Sequence, residues 1–176
     1  MATIDLIVLG MLKRESLSAY DIQKLVEYRN ISKWVKISTP SIYKKVIQLE
    51  EKGLITSRME RDGRMPEKAV YSLTEAGRRA FEALMLEISC KPVNVFLDFN
   101  AVIVNLESMP EERQRECLEN IESNMKVMKA NLEENLALKK DASDVPTMGM
   151  AVLRQQLLLA QAIEEWIAEL KSLLPA

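Results

Sequence analysis

The spacing of apolar residues changes period at Gly53 and changes back after Thr74, which limits this chain to a fold that joins helices to a short hairpin. Ahead of the switch, Ile4, Ile7, Val8, Met11 and Leu12 form one stripe of a 3.6-residue helix. Ser18 followed by Asp21 reads as a capping-box variant that opens a second helix, with Ile22, Leu25 and Val26 facing inward. Thr39-Pro40 predicts the start of a third helix: threonine accepts from orphan donors, and proline at the first helical position gives up no hydrogen bond. Ile42, Val46, Ile47 and Leu49 are expected to hold that helix to the domain, and Gly53 to stop it.

Between the two switches, Leu54 to Glu60 and Lys68 to Leu73 are short segments separated by Arg61-Asp62-Gly63-Arg64, whose Asp-Gly pair suits a hairpin turn. Thr74 then caps a fourth helix carrying Ala76, Ala80, Phe81, Leu84, Met85 and Ile88. Three helices, a hairpin and a helix make a winged helix-turn-helix, expected over residues 1–90. The fold class expected for the chain is mainly α with a small β-hairpin, a C-terminal helical dimerisation domain following over residues 91–176.

In that second region, Val93 to Leu106 is apolar nearly all round. Its length suggests a buried helix, although its β-branched content leaves a strand open. Ser108-Met109-Pro110-Glu111 reads as another capping box. Behind it Leu118, Ile121, Met125, Met128 and Leu132 step by three and four, as a coiled-coil seam does. After a polar break at Asp141 to Thr147, Leu159, Ile163, Trp166, Leu170 and Leu173 repeat the pattern on a last helix. Two such stripes expose more apolar surface than one helical hairpin covers, which points to a homodimer; an intramolecular pair packed on the fourth helix is the alternative.

Charge divides the chain in the same place. Residues 1–85 hold 15 basic and 11 acidic side chains, a net of +4, while residues 86–176 hold 9 and 15, a net of −6. A polyanion is expected to dock on the first half. Histidine is absent, so the commonest general base and zinc ligand are missing, and no catalytic residue, metal or cofactor is expected. Cys90 and Cys117 lack metal or redox spacing and suit free thiols in the cytoplasm, with oxidation a minor alternative. Neither the N-terminus nor Val93 to Leu106 is long and apolar enough for a membrane role.

A helix that enters the major groove needs polar or basic side chains near its N-terminus. The third helix offers Ser38, Thr39, Ser41, Tyr43, Lys44 and Lys45, and its first N–H groups can hold phosphate. The hairpin adds Arg58, Arg61, Gly63, Arg64 and Lys68 for phosphates or the minor groove. Trp34, Trp166 and the methionines are read as packing residues before ligand contacts.

Several runs together carry a resemblance. They are Leu9-Gly10-Met11-Leu12, Ser18-Ala19-Tyr20-Asp21-Ile22, Ile37-Ser38-Thr39-Pro40-Ser41-Ile42-Tyr43, Gln48 to Ile55, Gly63-Arg64 and Val70 to Gly77. In this order and spacing the chain resembles the PadR family of bacterial transcriptional regulators, over about its first ninety residues. The rest is similar only in its long-helix pattern to the longer, virulence-activator-like members. The resemblance implies a homodimeric winged-helix repressor of double-stranded DNA with a pseudo-palindromic operator, and an inter-domain space suited to a small planar aromatic effector. It places Ser41 and Tyr43 in the recognition helix and Gly63-Arg64 in the wing. Two departures stand out: Ala19 where the family often has glycine, and Lys44 where it often has proline. A winged helix used only for protein docking is the rival reading, and an enzyme the weakest.

Overall fold

Capping chemistry decides where the second helix begins. The computed structural model of the chain describes residues 3–35, 37, 40–61, 67–140, 142 and 145–173. It divides into two compact units, Met1–Val93 and Asn94–Ala176. In the first, α1 (Thr3–Leu12) leads through β1 (Leu17–Ser18) into α2 (Ala19–Tyr28). The capping box at α2 is complete: Asp21 N–H donates to Ser18 Oγ at 3.2 Å, and the Asp21 carboxylate accepts from Ser18 N–H at 3.2 Å. A 3-10 turn, Ile31–Lys33, then precedes α3 (Ser41–Glu51). Pro40 occupies the N-cap position and not the first helical one, and offers no side-chain hydrogen bond. Thr39, expected as the cap, lies outside the described residues.

Helix α3 ends where Gly53 takes a φ of +67°, a conformation that L side chains rarely adopt. There follow β2 (Ile55–Glu60), β3 (Lys68–Leu73) and α4 (Glu75–Ser89). The strands pair antiparallel from Ile55↔Leu73 to Glu60↔Lys68. β1 adds a short third strand on the far side of β3, through Leu17↔Tyr71 and Ser18↔Val70, giving the order β1-β3-β2. Two residues, the second of them the cap of α2, carry no period, so the sequence pattern does not reveal β1.

Thr74 ties the hairpin to α4. Its hydroxyl donates to the carbonyls of Gly53 and Leu54, at 2.8 and 3.0 Å, and accepts from Gly77 N–H at 3.0 Å. A Cβ on Gly77 would lie 2.0 Å from the Leu54 carbonyl oxygen, so this approach requires glycine. Val8 and Leu9 of α1, Ile22 and Val26 of α2, Ile42, Val46 and Leu49 of α3, Ile55 of β2 and Leu84 of α4 form one buried core. Ala80 and Phe81 pack against it, whereas Met85 is exposed.

The second unit departs further from expectation. Instead of a buried helix, Val93 to Leu106 contains only the four-residue α5 (Asn100–Ile103) before a 3-10 turn at Leu106–Ser108. Val93, Val95, Phe96 and Val104 are exposed, and of the run only Leu106 is buried. At the end of α5, Asn105 Nδ2 donates to the Ala101 carbonyl at 2.8 Å. The expected capping box at Ser108 is absent as well, since its hydroxyl donates to the Asn105 carbonyl at 2.6 Å. Helix α6 (Glu111–Lys139) starts instead behind Pro110.

α6 and α7 (Thr147–Ser172) pair antiparallel, as Lys129–Glu164 at 2.7 Å and Lys171–Glu122 at 2.5 Å require. Ile121 and Met125 close on Ala160 and Ile167, with Phe99, Ile103, Leu132 and Ile163 packed around them. The stripe read from the sequence as a dimer seam is thus filled in part from within the chain. Leu118, Ile121 and Met125 are buried within their own chain. Leu132, Ile163 and Leu170 are half-buried, while Met128, Leu159 and Trp166 stay exposed. A single helix shows a stripe but not its partner, and here one stripe partly covers the other.

Candidate nucleic-acid interface

Helix α3 is locked along one face and open along the other. Ile42, Val46 and Leu49 are wholly buried, and the helix packs on α1, α2 and β2. Tyr43, Lys44 and Ile47 lie on the open arc; Tyr43 is 44% exposed and Ile47 53%. Ile47 therefore does not help hold the helix, contrary to the sequence reading. The step from Val46 to Ile47 turns roughly 100° about the axis, and carries Ile47 out of the inner stripe toward solvent.

Lys45 also differs from expectation. Its ammonium lies 2.8 Å from Asp5 Oδ1, and the Asp5 side chain is buried on the inner side of α1. Lys45 is thus engaged inside the unit, holding α3 to α1, and its charge is already matched. A carboxylate between Ile4 and Val8 on an apolar stripe is the available signal, because a buried charge needs a partner. Lys44, one residue earlier, is exposed and makes no ion pair among the described residues. Ser41 is half-buried at the first position of α3. Its neighbours Ser38 and Thr39, together with Gly63 and Arg64 of the hairpin tip, lie outside the described residues.

At the base of the hairpin, Arg61 is exposed directly after β2, while Arg58 pairs with Glu60 on the same strand. Lys68, opening β3, reaches Asp21 Oδ2 at 3.3 Å and remains half exposed. Asp21 is held below the usual carboxylate value. The Ser18 hydroxyl bond does most of this, the Ser18 N–H and Lys68 add to it, and partial burial opposes them. The hairpin is thereby tied to the cap of α2. Glu50, on α3, accepts from Ser57 N–H of β2 at 2.9 Å and braces the helix from the other side.

The aromatic candidates fall into packing roles: Trp34 lies against the first unit's core, and Trp166 stacks on Phe99 at 6.1 Å between centroids. Among the described residues no cluster of three or more Cys, Asp or Glu could hold a metal ion, and no helix is long and apolar enough to cross a membrane.

The fold has solved relatives. It is similar to Bacillus subtilis PadR in complex with operator DNA, with a TM-score of 0.82 and 20% identity over 97% of this chain and 98% of that one. The same B. subtilis protein in complex with p-coumaric acid gives 0.81 and 19% over the same shares. The Vibrio cholerae virulence activator AphA gives 0.72 and 24% over 95% of each chain. No curated protein sequence matches the chain. Residues 8–83 match the transcriptional regulator PadR-like family. That match takes in the winged-helix elements from α1 to α4 and the open face of α3, so this part of the chain is similar to the domain of that family of transcriptional regulators.

Proposed function

We propose that this chain is a sequence-specific DNA-binding repressor acting as a homodimer in the cytoplasm. Residues 1–90 serve as the DNA-binding head and residues 91–176 as the dimerising region. α3 enters the major groove with Ser41, Tyr43 and Lys44, and its first N–H groups meet a phosphate together with Ser38 and Thr39. The hairpin follows the backbone or minor groove through Arg61, Gly63, Arg64 and Lys68, the last exchanging Asp21 for phosphate. Two heads related by a twofold axis read a pseudo-palindromic operator, with half-sites about one helical turn or a multiple apart.

The observation that carries this reading is the division of α3 into a wholly buried apolar face and an open face bearing Tyr43 and Lys44, a lysine with no ion pair among the described residues. A structural neighbour solved with operator DNA supports it. Another solved with p-coumaric acid supports control by a small aromatic effector, which would favour one arrangement of the dimer and so change its DNA affinity. Occupancy alone blocks polymerase, so repression asks least of the protein.

The test is a salt titration of duplex binding by the full-length protein and by Lys44→Ala and Arg64→Ala. Each variant is expected to bind more weakly, with its log–log salt slope shallower by about 1 for each phosphate no longer neutralised. Binding that ignores both salt and these substitutions contradicts the reading.

A further inference from the structure

Of the apolar residues of α3, Ile47 is the one whose place the core does not explain. Ile42, Val46 and Leu49 already fill the inner face, and Ile47 is 53% exposed one turn beyond Tyr43 and three residues beyond Lys44. A β-branched side chain there gives the helix nothing, since lysine, glutamine or alanine has the higher helix propensity. Exposed apolar residues are common on protein surfaces, so exposure alone decides little. Position decides more, because Ile47 shares its arc with the two residues best suited to meet DNA.

We propose that Ile47 is a specificity-determining residue that reads thymine through its 5-methyl group in the major groove. The inference rests on the DNA-binding reading above and adds the base that this helix position selects. An isoleucine side chain neither donates nor accepts a hydrogen bond. Of the groups that unmodified base pairs show in the major groove, the thymine C5 methyl is the one apolar group that projects into it; the others are donors, acceptors or, on cytosine, a bare C5–H. Against any other base edge, Ile47 would cover a polar group without pairing it, a net cost. Against thymine it removes two apolar surfaces from water at once. Phosphate offers it nothing, and the minor groove displays no methyl group.

The surroundings fit a groove-facing position. Lys44 brings positive charge to the same arc, and the Glu50 carboxylate is turned to the Ser57 N–H of β2. Glu51, exposed one turn past Ile47, marks the limit of the stretch that can lie close to phosphates.

The experiment takes the full-length protein and the duplex it selects from a randomised pool. Each thymine of that site is replaced in turn by uracil, which pairs identically and lacks only the methyl. At one or two positions per half-site, uracil is expected to weaken wild-type binding about fourfold, the equivalent of roughly one buried methylene-sized group. Ile47→Ala is expected to bind the thymine and uracil forms alike, and Ile47→Val to keep most of the discrimination. The assignment is overturned if wild type ignores every uracil replacement, or if Ile47→Ala shows the same penalty as wild type. Salt-dependent binding of the selected site without uracil sensitivity removes only the role of Ile47. A wild-type protein that selects no duplex removes the DNA-binding reading along with it.

Discussion

In the first unit, apolar residues from four helices and three strands converge on one core, and the polar links there run between elements: Asp5 to Lys45, Glu50 to Ser57, Thr74 to Gly53 and Leu54. In the second, two long helices share a thin seam around Ile121, Met125, Ala160 and Ile167. Val127, Met128, Leu158, Leu159 and Trp166 are left in solvent along the same helices. The Lys129–Glu164 pair and the Lys171–Glu122–Lys126 cluster reinforce the seam. The contrast teaches that the head closes a wide core within one chain, whereas the tail closes only a thin seam and leaves apolar side chains in solvent along both of its long helices. In the homodimer proposed above, a second copy would cover that surface.

The largest expected effect probes the closed head. Lys45→Ala leaves the buried Asp5 carboxylate without its ionic partner and is expected to cost about 3 kcal/mol, read as a lower urea midpoint at unchanged slope. A midpoint within error of wild type would mean that the pair does not hold α3. Because this substitution acts on stability, Lys44→Ala is the cleaner probe of DNA contact. Next comes Gly77→Ala, whose added methyl collides with the Leu54 carbonyl. A loss of about 2 kcal/mol is expected, and an unaltered thermal midpoint would contradict the close approach of α4 to the hairpin.

The open tail is probed at exposed positions only, so that the α6–α7 seam survives. Met128→Glu combined with Leu159→Glu is expected to raise the dimer dissociation constant by about a hundredfold, with far-UV circular dichroism unchanged. An unaltered mass in dilute solution would place the interface elsewhere. The smallest effect concerns pH. Lys171, and then Lys126, hold the Glu122 carboxyl down at about 2. A depressed carboxylate contributes stability above its unfolded value near 4.5, and loses it as pH falls toward 2. The acid limb of Glu122→Gln is therefore expected to be shallower than that of wild type between these values. Identical limbs would show that the cluster contributes nothing.

Much of the head is legible in the sequence because local rules and tertiary packing agree there. Ser18, Gly53 and Thr74 cap or stop the elements that their chemistry predicts, and Ile42, Val46 and Leu49 keep the helical period. What escapes depends on neighbours distant in sequence. Lys45 reads as one more basic residue of the recognition helix until Asp5 is found beneath it. Ile47 reads as core until the turn of the helix places it outside. In the tail, the apolar stripes of α6 and α7 are plain, yet their period cannot tell an intrachain partner from a second subunit. The run from Val93 to Leu106 misleads because apolar content suggests burial, yet only Asn100–Ile103 of it is α-helical and only Leu106 is buried.

The proposed homodimer predicts a definite stoichiometry on DNA. Sedimentation equilibrium of the full-length protein with the duplex it selects should give the mass of two chains on one duplex. One chain per duplex, or two components that sediment independently, would contradict that pairing.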